Sequence, residues 1–374
     1  MKKFLNPLYP ALERLNTPCF IFNINKVEEN LKAIESIWAE KFKDFELAYS
    51  IKTNNLKEIV QLIGQHSFGV DVVSKSEIKI AEENNIPYSK IYFNGPYKKK
   101  NEISYAVKKN INIQFDCEHE IKQFIKVIAG TKIEPKIALR ISHPLDSDSY
   151  SRFGFNDDEL TKALTILEYE KIKLSGLHFH FGKTALKKIK LPRIVKFILE
   201  KIEFVLRYQK SNLQWINIGG GLSKIEEHRK FSEIFYNKIK TSSISNFPLK
   251  LVIEPGRSVV QNTGYLLSSV ISIKERVERV ITIDASKTLL PSRGEEGKIF
   301  FLANKTHSNK IKGSIYGSNC FENDIFAKLL EIPENVEYVI FDNVGAYDFS
   351  TGHLWTRQKP SVYTVKNKII KKIR

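Results

Sequence analysis

Residues 45–94 read FELAYSIKTNNLKEIVQLIGQHSFGVDVVSKSEIKIAEENNIPYSKIYFN. Three short apolar or β-branched runs, Phe45–Ile51, Gly69–Val73 and Lys90–Asn94, alternate with amphipathic stretches such as Ser76–Asn84. That alternation marks βαβ units and a parallel sheet. The pattern continues at Ile111–Phe115, Lys136–Ile141, Leu174–Phe181, Leu213–Ile218 and Leu249–Ile253, with helical patterns at Lys99–Lys109 and Asp158–Tyr169. Eight successive units predict an α/β fold, a (β/α)8 TIM barrel of roughly 250 residues, placed over 24–263. Beyond it, Tyr265–Ile273, Val280–Asp284, Ile299–Leu302, Ile311–Tyr316, Glu337–Asp342 and Ser361–Val365 read as strands, with one helix near Asp324–Leu330. This predicts a C-terminal, mostly β domain.

Composition narrows the function classes. The chain has 374 residues, 42% apolar and 27% charged, too apolar for disorder. No apolar run approaches the roughly 20 residues of a membrane helix. The opening MKKFLNPLYPALERLNTP lacks the apolar stretch and cleavage site of a signal peptide. Cys19, Cys117 and Cys320 lie far apart, without metal-ligand spacing. Their odd number favours a reducing compartment, the cytoplasm, and leaves room for one functional thiol. The net charge of +17 comes from lysines scattered along the chain, with short clusters at Lys98–Lys100 and Lys366–Lys372. A nucleic-acid binder concentrates such charge, so a solvated basic surface is the better reading; the surplus can still steer anions.

The strand ends carry the chemistry. Each predicted strand finishes on a polar residue or glycine: Lys52, Asp71, Asn94 with Gly95, Asp116, Arg140, His178 and His180, Gly219–Gly221, then Glu254 and Arg257. Barrel active sites are built at this face from several strands. Lys52, in YSIKTN, is either a Schiff-base lysine desolvated in the barrel mouth or one exposed lysine among many. Gly219–Gly221 lets backbone amides approach a phosphate closely; the alternative is a simple turn. Glu254-Pro-Gly-Arg257 offers an arginine for phosphate and a carboxylate for a protonated ring nitrogen, or a surface salt bridge. His178 and His180 point the same way along their strand. They read as a core pair, as a partner to a planar cofactor, or as a metal pair for which no acidic partner stands at close spacing. Cys320 is a proton donor, a nucleophile or a buried small hydrophobe, and Tyr347 a phosphate contact or a core tyrosine.

Taken together from about Thr17 to Val365, these motifs resemble the fold-type III pyridoxal-phosphate decarboxylases, among them the diaminopimelate, ornithine/arginine and carboxynorspermidine enzymes. Alanine racemase is a more distant relative. The resemblance implies pyridoxal 5'-phosphate as cofactor and an alanine-racemase-like barrel over 24–263, with residues 1–23 joining 264–374 in the β domain that carries the Cys320 loop. It assigns Lys52 to the internal aldimine, His180 to the ring face, and Gly219, Gly220, Gly221, Arg257 and Tyr347 to the phosphate. Glu254 matches the acid that keeps the ring nitrogen protonated. Asp71, Glu77 and Arg140 match polar residues around the lysine and the inner pocket. Cys320 matches the thiol that protonates the product carbon from the other subunit, which implies a homodimer with shared active sites.

Departures from the family pattern bear on the substrate. Lys183 replaces the usual serine after the sixth strand and either pairs with the phosphate or faces solvent. The segment 285–293, ASKTLLPSR, differs from the diaminopimelate enzymes' arginine-proline segment, which puts the use of Arg293 for a second carboxylate in question. The loop CFEND is neither CESGD nor CDGLD; Asp324 fits the shared aspartate, and Glu322 sits one position after the specificity glutamate. The expected activity is decarboxylation of a diaminopimelate-, ornithine- or conjugated-amino-acid-like substrate. A racemase or epimerase on the same fold, or a catalytically silent binding homologue, are the rivals. Glu254 and Cys320 speak against the racemase, and the presence of Lys52 and Cys320 against the silent homologue. No metal, nucleic-acid partner or membrane attachment is expected.

Overall fold

All eight predicted barrel strands form, and they pair in sequence order. The computed structural model describes residues 9–134, 136–144, 151–182, 191–208, 213–245, 249–293, 297–303, 309–353 and 355–374. The strands are β2 (Phe45–Ser50), β3 (Gly69–Val72), β4 (Ile91–Phe93), β5 (Asn112–Phe115), β6 (Ile137–Ile141), β7 (Gly176–Phe179), β8 (Trp215–Asn217) and β9 (Lys250–Ile253). Every neighbouring pair is parallel, and β2 pairs with β9, from Phe45 opposite Leu251, to close the barrel. Parallel strands buried on both faces read as near-continuous apolar runs, which is why these segments show in the sequence. The expected helices form at Lys75–Glu83, Lys100–Lys108 and Asp157–Tyr169. Ser74 caps the first through the Glu77 amide, and Asn156 forms a capping box with Glu159 on the third.

Inside the barrel, Ala48, Tyr92, Ala138 and Trp215, from alternate strands, form a buried cluster with Val252. The Tyr92 and Trp215 rings meet edge to face at 5.4 Å. This packing fills the interior and leaves the polar strand ends at the C-terminal mouth.

The chain divides into two compact units, Asn30–Ser258 and a β unit of Met1–Glu29 with Val259–Arg374. Both divisions fall inside helices, Ile24–Ala39 and Arg257–Val260, a few residues inward of the boundaries read from sequence. In the β unit, β1 (Cys19–Asn23) lies antiparallel to β10 (Gly264–Lys274) and parallel to β16 (Ser361–Lys366). Its core includes Leu12, Cys19, Ile21, Tyr265, Leu267, Ile340 and Tyr363.

One element differs from expectation. Ile325–Pro333 is a strand, β14, antiparallel to β13 (Lys310–Tyr316), where a helix was read near Asp324–Leu330. Its Ala-Lys-Leu-Leu-Glu composition favours helix locally, and the long-range ladder with β13 overrides it. Among the described residues no helix is long and apolar enough to cross a membrane.

Candidate active site

The barrel mouth gathers one connected polar network. Lys52 follows β2 in a short 3-10 turn and pairs with Asp71, the last residue but one of β3; the Lys52 side chain is 29% exposed and Asp71 is fully buried. Asp71 also accepts from Ser50 Oγ at 2.5 Å and from the Asn94 amide. Asn94 Nδ2 lies 3.5 Å from Glu254 Oε1, and Asn217 Nδ2 donates to the same oxygen at 2.7 Å. His180 Nδ1 lies 3.2 Å from Glu254 Oε2 and 3.3 Å from the Gly220 amide. His178 Nε2 stands 3.3 Å from Glu254 Oε1, yet neither of its ring nitrogens has a hydrogen bond of good geometry.

The electrostatics are divided. Burial pushes His178 down to about 4 against the pull of Glu254. Burial raises the Glu254 carboxyl, but His178 and His180 outweigh it and hold the group well below the usual carboxylate range. An ionised carboxylate thus sits buried at the end of β9, ready to accept a proton-bearing partner. The acidic neighbour missing at close spacing from the histidine pair is therefore Glu254, from another strand. His178, His180 and Glu254 bring three possible metal ligands within 4.8 Å of one another.

Gly219 and Gly221 adopt φ of +72° and +99°, the left-handed region that favours glycine. A side chain at Gly219 would strike the Phe179 carbonyl and His180 Cα, and one at Gly220 the Glu254 carbonyl. The loop passes over the ends of β7 and β9 only because it lacks Cβ atoms there. Arg257 opens the next short helix. Arg140 pairs with Asp116 at 3.4 Å and lies over Phe153 at 4.6 Å.

Glu77 accepts the Val73 amide at 2.7 Å. Burial lifts its carboxyl from 4.5 to about 7; Asp71 adds to the rise, and the Val73 amide and Lys52 oppose it. Between these pH values the folded chain binds a proton that the unfolded chain releases, so this group's contribution to stability falls as pH rises from 4.5 through 7. Glu77→Gln is expected to remove about 3 kcal/mol of that decline. Urea midpoints for parent and variant, taken on both sides of the window, check this; equal declines would refute it.

The other expected site residues lie in the β unit. Cys320 and Glu322 are exposed on the loop between β13 and β14. Asp324 is buried and committed to that loop, accepting the Lys287 amide at 2.7 Å, the Asn319 amide at 2.8 Å and Ser286 Oγ at 3.1 Å. Arg293 folds onto Phe341 at 5.2 Å, its Nε 3.3 Å from the Asp342 carbonyl. Tyr347 holds φ of +68° ahead of the helix Asp348–Thr351. Burial, then Asp284, push the Cys19 thiol to about 12, and burial raises Cys117, which leaves Cys320 as the exposed thiol. Lys183 lies outside the described residues. Sequence reading missed Ser50 and Asn217 as site residues; a buried asparagine in the short apolar run of β8 is the signal that marks Asn217.

These residues fit pyridoxal phosphate: a buried anionic carboxylate for the ring nitrogen, a lysine within the same network, and a glycine turn with an arginine for the phosphate. A family model described as "Pyridoxal-dependent decarboxylase, pyridoxal binding domain" matches residues 26–261. The chain is 30% identical to a diaminopimelate decarboxylase of Methanocaldococcus jannaschii, over 95% of this chain and 88% of that one. It is 26% identical to the enzyme of that name from Aquifex aeolicus, over 97% and 90%. Its fold is that of Helicobacter pylori diaminopimelate decarboxylase complexed with L-lysine, with TM-score 0.84, 22% identity, and 98% and 96% of the two chains covered. The chain therefore belongs to the fold-type III pyridoxal-phosphate decarboxylases, and it is an amino-acid carboxy-lyase that works with pyridoxal phosphate.

Proposed function

We propose that the protein removes the α-carboxylate of a diamino acid of the diaminopimelate type, with Lys52 as the amine that holds the cofactor's aldehyde and Cys320 as the proton donor to the α-carbon. The observation that carries this reading is the buried chain from Lys52 through Asp71 and Asn94 to Glu254 on one barrel face. The diaminopimelate decarboxylases among the relatives support the substrate class. Bound at this face, pyridoxal phosphate supplies the cationic ring that takes up the electron pair left behind when CO2 departs.

The chain's own groups do the rest. Asp71, held by Ser50 and Asn94, fixes the Lys52 ammonium. Glu254, anionic and braced by Asn217, would hold a proton at the ring nitrogen. His180 would lie against the ring, and Gly219–Gly221, Arg257 and Tyr347 would hold the phosphate. Asp324 shapes the loop that presents Cys320 and Glu322. Arg293, occupied by Phe341 and the Asp342 carbonyl, is not assigned to the distal end of the substrate.

The test is CO2 release from diaminopimelate, ornithine, arginine, lysine and amino-acid conjugates. Turnover of diaminopimelate above the others is expected; preference for a conjugate or a simple diamino acid would replace the substrate class. Cys320→Ser is expected to cost about 10²- to 10⁴-fold in product formation, the range for losing a general acid. In the homodimer proposed here, Cys320 of one copy serves the barrel of the other. Mixing inactive Lys52→Ala and Cys320→Ala chains should then restore about a quarter of parental activity through hybrids with one intact site. No recovery would refute the shared site.

A further inference from the structure

Beside the network lies another buried ion pair that has no part in the chemistry above. Lys98 is fully buried and the Glu120 side chain is 3% exposed. Lys98 Nζ donates to the Gly95 carbonyl at 2.7 Å and to the two Glu120 oxygens at 3.1 and 3.3 Å. It lies 5.5 Å from the centre of the Phe93 ring. Glu120 Oε2 also accepts the Asp116 amide at 2.9 Å. The ammonium thus clamps the loop after β4, and the carboxylate clamps the loop after β5.

Both clamped loops carry site residues. Gly95 follows Asn94, whose amide bridges Asp71 and approaches Glu254. Asp116 carries the carboxylate that pairs with Arg140. A desolvated ion pair is a weak source of stability, because apolar side chains of similar volume often replace it without loss. It does fix distance and orientation, which apolar contacts define less sharply.

We propose that Lys98 and Glu120 are positioning residues for the decarboxylation: the pair sets the spacing of the β4 and β5 loops, holding Asn94 against Asp71 and Glu254, and Asp116 against Arg140. The inference rests on the barrel-mouth reading of the active site. Displacing a reacting group by ~1 Å costs about a hundredfold in rate, so small loop shifts would register in turnover.

Either single replacement by methionine leaves one buried charge unpaired and is expected to lose much of its stability. The deciding variant is Lys98→Met/Glu120→Met in the full-length holoenzyme. Its thermal midpoint should stay near that of the parent. Its kcat should fall about ten- to a hundredfold with KM within about twofold, and bound pyridoxal phosphate should dialyse away faster. Glu46→Gln is the control: Glu46 accepts Tyr92 Oη at 3.1 Å near the start of β2, at the opposite end of the barrel, and its loss should lower stability while kcat stays unchanged. A double variant with parental kcat and cofactor release overturns the proposal. So does one that cannot fold, since the pair would then serve stability first. A parent that binds pyridoxal phosphate but releases no CO2 from any substrate tested instead sinks the substrate reading, and cofactor release from the double variant still judges the pair.

Discussion

Replacing Lys52 by alanine should lower CO2 release by about a thousandfold or more, because it removes the amine proposed to hold the cofactor, a loss at least as large as that of a general acid or base. The same variant should lack a visible absorbance band that borohydride fixes to the protein. Fold stability should change far less. Asp71 is fully buried, but it keeps its bonds from Ser50 and Asn94 when the lysine is gone. The expected cost is therefore about 1–2 kcal/mol, below that of stranding a carboxylate with no donors at all. Lys52→Arg separates chemistry from structure, because arginine retains the charge for Asp71 while its guanidinium stays protonated and is a poor nucleophile. It should recover the stability and none of the activity. Turnover in either variant above about a tenth of the parent would mean that another amine carries the cofactor.

Much of this was legible in the sequence, for physical reasons. Barrel strands buried on both faces are short apolar runs, so all eight were visible. Their ends were less so: Leu174–Phe181 shrinks to Gly176–Phe179, because pairing with β6 and β8, not hydrophobicity, sets where a strand stops. The misread β14 is the same lesson in reverse, with local helix propensity yielding to a partner strand. The site divides in this way too. Lys52, Asp71, His180 and Glu254 were visible as polar residues closing apolar runs. The bonds that make them a site were not, since His180 and Glu254 stand 74 residues apart, and Asn94 meets its partners only once the barrel closes. The Lys98–Glu120 pair was hidden for a different reason: among so many lysines, nothing local marks the one that is buried.

Glu254 carries the second large effect. Its carboxylate is 1% exposed and receives Asn217 at 2.7 Å, with His180 at 3.2 Å and His178 at 3.3 Å. Glu254→Gln keeps the shape but removes the charge, and it puts an amide NH2 in place of one acceptor oxygen beside the donors Asn94 and Asn217. The loss of one preorganised electrostatic partner costs about 10²–10³ in kcat, and that is the expected fall, with KM little changed because the interaction matters most as charge develops. Stability should respond with a definite sign. The carboxyl is held below its usual range in the folded chain, so it stabilises the fold at neutral pH and yields that stability only as pH drops below the ordinary carboxylate range. The glutamine variant should be less stable than the parent near neutrality, with the difference closing in acid. The same variant also weighs decarboxylase against racemase. An anionic partner at the ring nitrogen strengthens the electron sink that CO2 loss demands, whereas exchange of the α-proton needs it less. In D2O, Glu254→Gln should therefore lose CO2 release more steeply than α-proton exchange. Equal losses in the two would mean that Glu254 braces the histidines and the glycine loop without setting the reaction's direction.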